Sequence, residues 1–122
     1  MTDKADKTTG NQIDVSEVPR EEWPSWCSAF TSDHGGREVV LRQADRALGE
    51  VQLAEGQRLV AIEHDMFGGT EALTIKCGSS AVPVSYVVAG PRSIRQHRGR
   101  TGDIKEFTII DATERRTVVS FV

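Results

Sequence analysis

The stretch EALTIKCGSSAVPVSYVV, residues 71–88, carries the clearest strand pattern of the chain. Leu73, Ile75 and Cys77 alternate with Thr74 and Lys76, the period of two that places one set of side chains on each face of a sheet. A second alternating set follows after a short Gly-Ser-Ser turn, with Val82, Val84, Tyr86 and Val88 on one face. So short a connection cannot hold the crossover that parallel strands need, so the stretch predicts an antiparallel pair.

The same kind of pattern extends to both sides of this pair. Short runs rich in Val, Ile and Thr, separated by glycine and polar turns, occur in REVVLRQ, GEVQLAE, RLVAIEHD, RSIRQH, IKEFTII and RTVVSFV. Every connection between them is short. The sequence therefore predicts a mainly β (α+β) fold, a small antiparallel β-barrel or sandwich.

One segment before the strands has the period of a helix. Trp23, Trp26, Cys27 and Phe30 are spaced at i, i+3, i+4 and i+7, which predicts one amphipathic helix near the N-terminus. Proline is tolerated only in the first turn of a helix, so Pro24 indicates a helix over residues 24–34. Gly35 is then expected in the left-handed position that ends it. The aromatic face should pack on the sheet.

Composition indicates one soluble domain. The chain has 122 residues, of which 38% are hydrophobic and 27% charged. Residues 1–14 are polar enough to predict a disordered tail, which leaves residues 15–122 as a single helix-plus-β domain. No apolar run approaches the length of a membrane helix, and the N-terminus lacks the apolar region of a secretion signal. These features predict a cytoplasmic protein that does not enter a membrane.

The strongest functional signal is an arginine-rich segment. Four arginines occur in GPRSIRQHRGR without any acid among them: Arg92, Arg95, Arg98 and Arg100. Arginine forks suit carboxylates and phosphates, so we expect these four residues to contact an acidic protein or another polyanion. Nucleic acid is the less favoured partner, since no aromatic residue is interleaved to stack on bases. Strand alternation would put Arg92 on the face of Ile94 and Arg95 on the other, and a charged, soluble edge strand is the alternative interpretation.

Two further function classes are weighed against this binding role. A cysteine-dependent enzyme or redox protein would use Cys27, but the position of Cys27 on the apolar helix face favours a buried thiol, and Cys77 also points with aliphatic residues. In EHDMFGG, Glu63 and Asp65 project to one face of a strand and His64 to the other, so they cannot share one ion. We therefore predict a protein that is not an enzyme, with no catalytic residues, no metal site and no cofactor.

A purely structural homo-oligomer is the third class. The apolar C-terminal run Thr117–Val122 would make a sheet edge suited to pairing with a second copy, and a homodimer is the resulting hypothesis.

Motifs at both ends of the chain resemble one family. VPREEWPSWCSAFTSDHGG and GPRSIRQ…FTIIDATERRTVVSF are similar to small bacterial proteins grouped as domain-of-unknown-function family five-three-three-five. The similarity covers about residues 15–122. It implies a small bacterial intracellular protein, and it transfers no functional residue. The chain departs from the family pattern in its last turn, where Asp111-Ala112-Thr113-Glu114 stands in place of a glycine-containing turn.

Overall fold

The alternating runs form eight strands in the computed structural model, which describes residues 14–47, 49–79 and 81–122. A 3₁₀ turn at Arg20–Glu22 leads into the single helix of this part of the chain, α1, at Trp23–His34. The strands are β1 Asp14–Glu17, β2 Glu38–Asp45, β3 Gly49–Phe67, β4 Thr70–Gly78, β5 Pro83–Ala89, β6 Pro91–Arg98, β7 Ile104–Asp111 and β8 Arg116–Phe121.

The strands form one antiparallel sheet in the order β1-β6-β7-β8-β2-β3-β4-β5. The predicted antiparallel, mainly β fold is confirmed, but the sheet is not closed, because β1 and β5 end it. The long strand β3 pairs with β2 over Gly49–Arg58 and with β4 over Leu59–Phe67. Gly90, at φ +63°, carries the chain from β5 in one half of the sheet to β6 in the other. One hydrophobic cluster draws residues from both halves.

The C-terminal strand does not lie at an edge. β8 pairs with β7 on one side and with β2 on the other, so the expectation that Thr117–Val122 offers an edge to a second copy is wrong. Both backbone edges of the strand are already used within the sheet. The arginine-rich strand β6 is not an edge either, because β1 pairs with it over Arg95–Arg98.

The helix confirms the aromatic pattern. Trp23, Cys27 and Phe30 are buried, and Trp26 is partly buried with its indole N–H donating to the Gln96 side chain at 3.0 Å. Phe107 of β7 meets Trp26 and Phe30 edge-on, at ring-centroid distances of 5.3 and 5.1 Å. The helix therefore packs its aromatic face on the sheet. It is not the first element of the domain, since β1 precedes it.

The end of the helix differs from the prediction. Gly35 has φ −58°, and the left-handed position belongs to Gly36 at φ +90°. The Gly35 N–H donates to the Thr31 carbonyl at 2.9 Å, and a Cβ at Gly35 would approach that oxygen to 2.8 Å. Glycine is therefore needed at Gly35 because the Thr31 carbonyl lies too close for a Cβ, and at Gly36 because its φ is positive.

The chain enters the sheet earlier than the sequence indicates. The predicted tail, residues 1–14, lies outside the described residues except for Asp14, which begins β1. β1 is only four residues long and all four are exposed, so it carries no apolar periodicity that sequence reasoning could detect.

At the other end of the sheet, β5 is also more exposed than predicted. Val88 is buried, but Val84 is 51% exposed although it shares the predicted face. Among the described strands, β5 pairs with β4 alone; Val87 of β5 and Val82 just before it are exposed as well. In the described part of the chain, the helix is neither long nor apolar enough to cross a membrane.

Candidate functional site: an arginine groove on the outer face of the sheet

The outer face of the sheet, away from the helix, carries a groove that crosses four strands. Ser93 of β6 is in register with Ile110 of β7, Ile110 with Arg116 of β8, and Arg116 with Ala44 of β2. This row runs across the groove, which has a volume of about 730 Å³. Ser93, Ile110 and Ala44 in this row are small or apolar, and they leave room for charged side chains to converge from both ends of the row.

Four arginines line the groove, and we call it the arginine groove. They are Arg46, Arg92, Arg95 and Arg116. Arg92 and Arg95 come from β6, Arg116 from β8, and Arg46 from the turn after β2. Neighbouring strands lie about 4.8 Å apart, so the β6 and β8 arginines stand about 10 Å apart at the backbone, with β7 between them. That span is within reach of two long side chains that bind the same anion.

Two of the four predicted binding residues meet in this groove. The expectation that Arg92 shares the face of Ile94 is wrong, because the β6–β7 register shifts between Pro91 and Ser93. A bulge of this kind adds one residue to one strand and breaks its alternation. Arg92 is consequently exposed and lines the groove with Arg95, whereas Ile94 is fully buried in the core.

The other two predicted residues lie elsewhere. The Arg98 guanidinium donates to the Gly102 carbonyl at 2.8 Å and so braces the β6–β7 connection. Arg100 is exposed in that connection. Neither lines the arginine groove. Arg46 and Arg116 take their place, and they reach the groove only through strand pairing, which no local pattern reveals.

The groove also has acidic residues at its rim. Glu17, Asp45 and Glu114 line it together with the arginines. Glu114 pairs with Arg46 at 3.7 Å, and Asp45 pairs with Arg115 at 3.5 Å. Among the described residues, Arg92, Arg95 and Arg116 have no ion pair within 4 Å. In this part of the chain, the lining thus carries four arginines against three acids, and three of those arginines form no ion pair.

The last turn holds Glu114 at this rim. Glu114 has φ +69°, the left-handed angle that usually favours glycine. The buried Asp111 carboxylate stabilises the turn by accepting from the Thr113 N–H at 2.8 Å, the Arg115 N–H at 3.1 Å and the Thr113 hydroxyl at 2.7 Å. Side-chain hydrogen bonds therefore replace the glycine that the family pattern led us to expect.

Beside the groove, the same face carries a polar network. Arg42 donates to the Ser120 hydroxyl at 3.1 Å, and Ser120 donates to Glu106 at 3.1 Å. His97 lies 3.9 Å from Glu106 and 3.4 Å from the Thr108 hydroxyl. Arg42 also pairs with Glu50 at 3.6 Å. The charge of Arg42 is therefore used within the protein, in contrast to that of Arg95, which lies in the same row of the sheet on β6.

Cys27, unlike the arginines of the groove, is buried. Cys27 is 2% exposed, and burial, reinforced by the Asp65 charge, raises the pKa of its thiol to about 12. A smaller hollow of about 330 Å³ adjoins Cys27 and His64, but His64 Nε2 bonds Glu71 at 2.7 Å. A thiol with so high a pKa is protonated at neutral pH and is a poor nucleophile.

Both cysteines are free and buried, as predicted, and burial raises the pKa of the Cys77 thiol too. The side chains around His64 follow the predicted alternation. Glu63 accepts from Lys76 at 3.1 Å and Asp65 accepts from Thr74 at 3.4 Å, whereas His64 contacts Glu71. Within the described ranges, no group of three or more His, Cys, Asp and Glu side chains could hold a metal ion.

Comparison with known proteins places the chain in a family. No curated protein and no solved structure matches it significantly. The sequence model described as "Family of unknown function (DUF5335)" matches residues 6–122, nearly the whole chain. The match agrees with the resemblance carried by the start motif and the C-terminal hairpin. The chain therefore belongs to the DUF5335 family.

Proposed function

We propose that this protein is a non-enzymatic binding module that contacts an acidic partner through the arginine groove. One observation carries the proposal: Arg92, Arg95 and Arg116 converge on a single groove without an ion pair among the described residues. Several arginines elsewhere form ion pairs, for example Arg42 with Glu50 and Arg20 with Glu71. Three guanidinium groups without an ion pair on one face present planar donor forks to a carboxylate or phosphate.

The chemistry of the groove favours an acidic protein segment over nucleic acid. Among the residues that the structure describes, its lining contains no aromatic side chain on which a base could stack. The rim acids Glu17 and Glu114 would repel an evenly charged phosphate backbone, whereas a peptide can place its carboxylates between them. Ile110 and Ala44 add an apolar surface for the side chains that separate those carboxylates.

The expected affinity is modest. Exposed ion pairs each contribute about 0.2–1 kcal/mol, so three of them give weak, salt-sensitive binding. Such a module would use the groove for recognition and obtain further affinity from additional contacts with its partner.

The high pKa and burial of Cys27 count against the alternative of a cysteine-dependent enzyme.

A specific observation does favour self-association as a second candidate function. β5 ends the sheet, residues 79–90 contain no charged residue, and Val82, Val84 and Val87 are about half exposed or more. Uncharged edges are prone to pair with other strands. Light scattering of the wild-type protein and a Val84→Lys variant tests this: a dimer that the lysine abolishes would support it, and a monomer at every concentration would exclude it.

Fluorescence anisotropy of a labelled hexaglutamate peptide tests the proposed function. We expect binding at low salt that weakens as salt rises, since the attraction is screened. The double variant Arg95→Glu/Arg116→Glu should bind about tenfold more weakly or worse, a change of about 1.4 kcal/mol. Arg100→Glu/Lys105→Glu is the matched control, because it makes the same change of charge at two exposed residues outside the groove.

Equal losses in the two double variants would show that the peptide senses net charge alone and would contradict the groove. Absence of binding to the wild type at low salt would contradict the proposed function altogether. Circular dichroism of each variant confirms that it is folded.

A further inference from the structure

The edge strand β1 is weakly held. It consists of four exposed residues, Asp14–Glu17, and among the described strands it pairs with β6 alone. Because none of its side chains is buried, β1 contributes little to the core. Its attachment rests on backbone pairing with one neighbour.

The charges of β1 complement those of β6. Asp14 stands opposite Arg98, and Glu17 stands opposite Arg95. Glu17 also lines the arginine groove. Neither carboxylate forms an ion pair within 4 Å in the described part of the chain, so neither arginine is neutralised by β1, although one N–H of Arg98 is used by the Gly102 carbonyl. Each end of β1 thus carries an acidic residue that faces an arginine of β6.

The chain is anchored directly after β1. Val18 is buried; its N–H donates to the Ile94 carbonyl at 2.9 Å, and its carbonyl accepts from the Trp23 indole at 3.1 Å. These bonds fix the chain at the point where it turns towards α1. Residues 14–17 could therefore leave β6 without disturbing Val18 or the core behind it.

We propose that β1 is a built-in acidic ligand of β6, and that the acidic partner replaces it by adding its own extended strand to the same edge. This inference rests on the proposed function of the arginine groove. The partner segment would carry two acidic residues three positions apart, opposite Arg98 and Arg95. Strand addition to an open edge is a common mode of peptide recognition, in which backbone hydrogen bonds provide affinity and side chains provide specificity.

An incoming segment has one advantage over β1. After Glu17 the protein's own chain turns away at Val18, whereas a partner can continue across the groove towards Arg116. It must outcompete a strand that is tethered at a high effective concentration, about millimolar for a short link. Contacts with Arg92 and Arg116 that β1 does not make would offset that disadvantage.

A disulfide between β1 and β6 tests the replacement. Val15 and His97 are register partners, and facing residues of an antiparallel pair have Cα atoms about 4.5–5.5 Å apart, within the range a disulfide spans. The probe is a labelled peptide with the sequence Asp-Val-Ser-Glu followed by three glutamates. Oxidation of the Val15→Cys/His97→Cys protein should abolish peptide binding, and reduction should restore it.

Inorganic pyrophosphate is the second probe, because it can occupy the groove without forming a strand. The oxidised protein should still bind it. If the oxidised protein binds the peptide as well as the reduced one does, β1 is not displaced and the inference is wrong, while the proposed function stands. If the wild type binds neither probe, the proposed function itself fails.

Glu17→Gln provides a test that needs no disulfide. Loss of this carboxylate removes the negative charge that faces Arg95, so it should loosen β1 and tighten peptide binding by about two- to fivefold, the upper range for one exposed charge–charge interaction. Glu21→Gln, which removes an exposed acid outside β1, should leave the affinity unchanged. Equal affinity of Glu17→Gln and wild type would contradict a competing role for β1. Formation of a dimer that oxidation prevents would instead identify a second copy of the chain as the occupant and overturn the proposed partner.

Discussion

Replacement of Trp23 by alanine is expected to be the most damaging single change to the fold. Trp23 is 1% exposed, its indole N–H donates to the Val18 carbonyl at 3.1 Å, and Arg20 lies 4.6 Å from its ring centroid. Truncation of a buried tryptophan costs about 3–5 kcal/mol. The loss of the donor leaves a buried carbonyl unsatisfied and adds about 1 kcal/mol or more. The total is comparable to the whole stability of a small domain, about 5–15 kcal/mol.

Urea denaturation followed by circular dichroism measures this free energy of unfolding. Trp23→Phe helps to separate the two contributions, because it keeps a buried aromatic ring while it removes the N–H and the smaller part of the packing. It should cost about 1–2 kcal/mol. Trp26→Ala is the matched control: Trp26 is only partly buried, so we expect a smaller loss than for Trp23→Ala. An unchanged midpoint for Trp23→Ala, or a larger loss for Trp26→Ala, would refute this account of how the helix docks.

Three more predictions follow from buried or hydrogen-bonded groups. Because Cys27 is buried and its thiol pKa is raised to about 12, alkylation of the native protein at neutral pH should be slow and should accelerate only as urea unfolds the chain; rapid native labelling would contradict this. Burial, with a further contribution from the Arg37 charge, lowers the pKa of His34 below its ordinary 6.5. The unfolded state therefore binds more protons than the folded state does as the pH falls below 6.5. The stability present above pH 6.5 should consequently decrease as the pH drops through 6.5 towards the folded-state pKa. Denaturation midpoints at pH 7.5 and 5 should therefore differ less in His34→Gln than in the wild type, and an equal difference would contradict the assignment. Asp111→Ala removes three hydrogen bonds from the last turn and should cost about 1–3 kcal/mol, whereas Asp111→Asn should cost less; equal thermal denaturation of all three proteins would show that the turn does not depend on the carboxylate.

Sequence reasoning was most accurate where one residue pattern dictates one structure. The spacing of Trp23, Cys27 and Phe30 located the helix to within one residue of its start, because only a helix places those side chains on one face. The antiparallel sheet followed from short connections. Where backbone detail decides, the reasoning was less accurate. The runs GEVQLAE and RLVAIEHD were expected to be two strands, but β3 continues unbroken through Gly56, which adopts φ +72° beside the register shifts of the β2–β3 pair.

The candidate site, too, could be predicted only in part from residue patterns. Arg92 and Arg95 were identified because they are close in sequence and lack neighbouring acids. Their placement on one face depends on the register shift at Pro91, which no side-chain pattern records. Arg46 and Arg116 reach the groove through β2–β8 and β7–β8 pairing, and a single sequence does not reveal which strands are neighbours.

The most direct test of the arginine groove is a nuclear magnetic resonance titration of the ¹⁵N-labelled protein with hexaglutamate, observed at the arginine Nε–H signals. The groove predicts salt-sensitive shifts at Arg92, Arg95 and Arg116. Arg58, whose guanidinium donates to the Gly36 carbonyl at 2.9 Å, and Arg100, outside the groove, should not move. Shifts spread equally over all arginines, or shifts at Arg58 and Arg100 without any at Arg95 and Arg116, would contradict the proposed binding site.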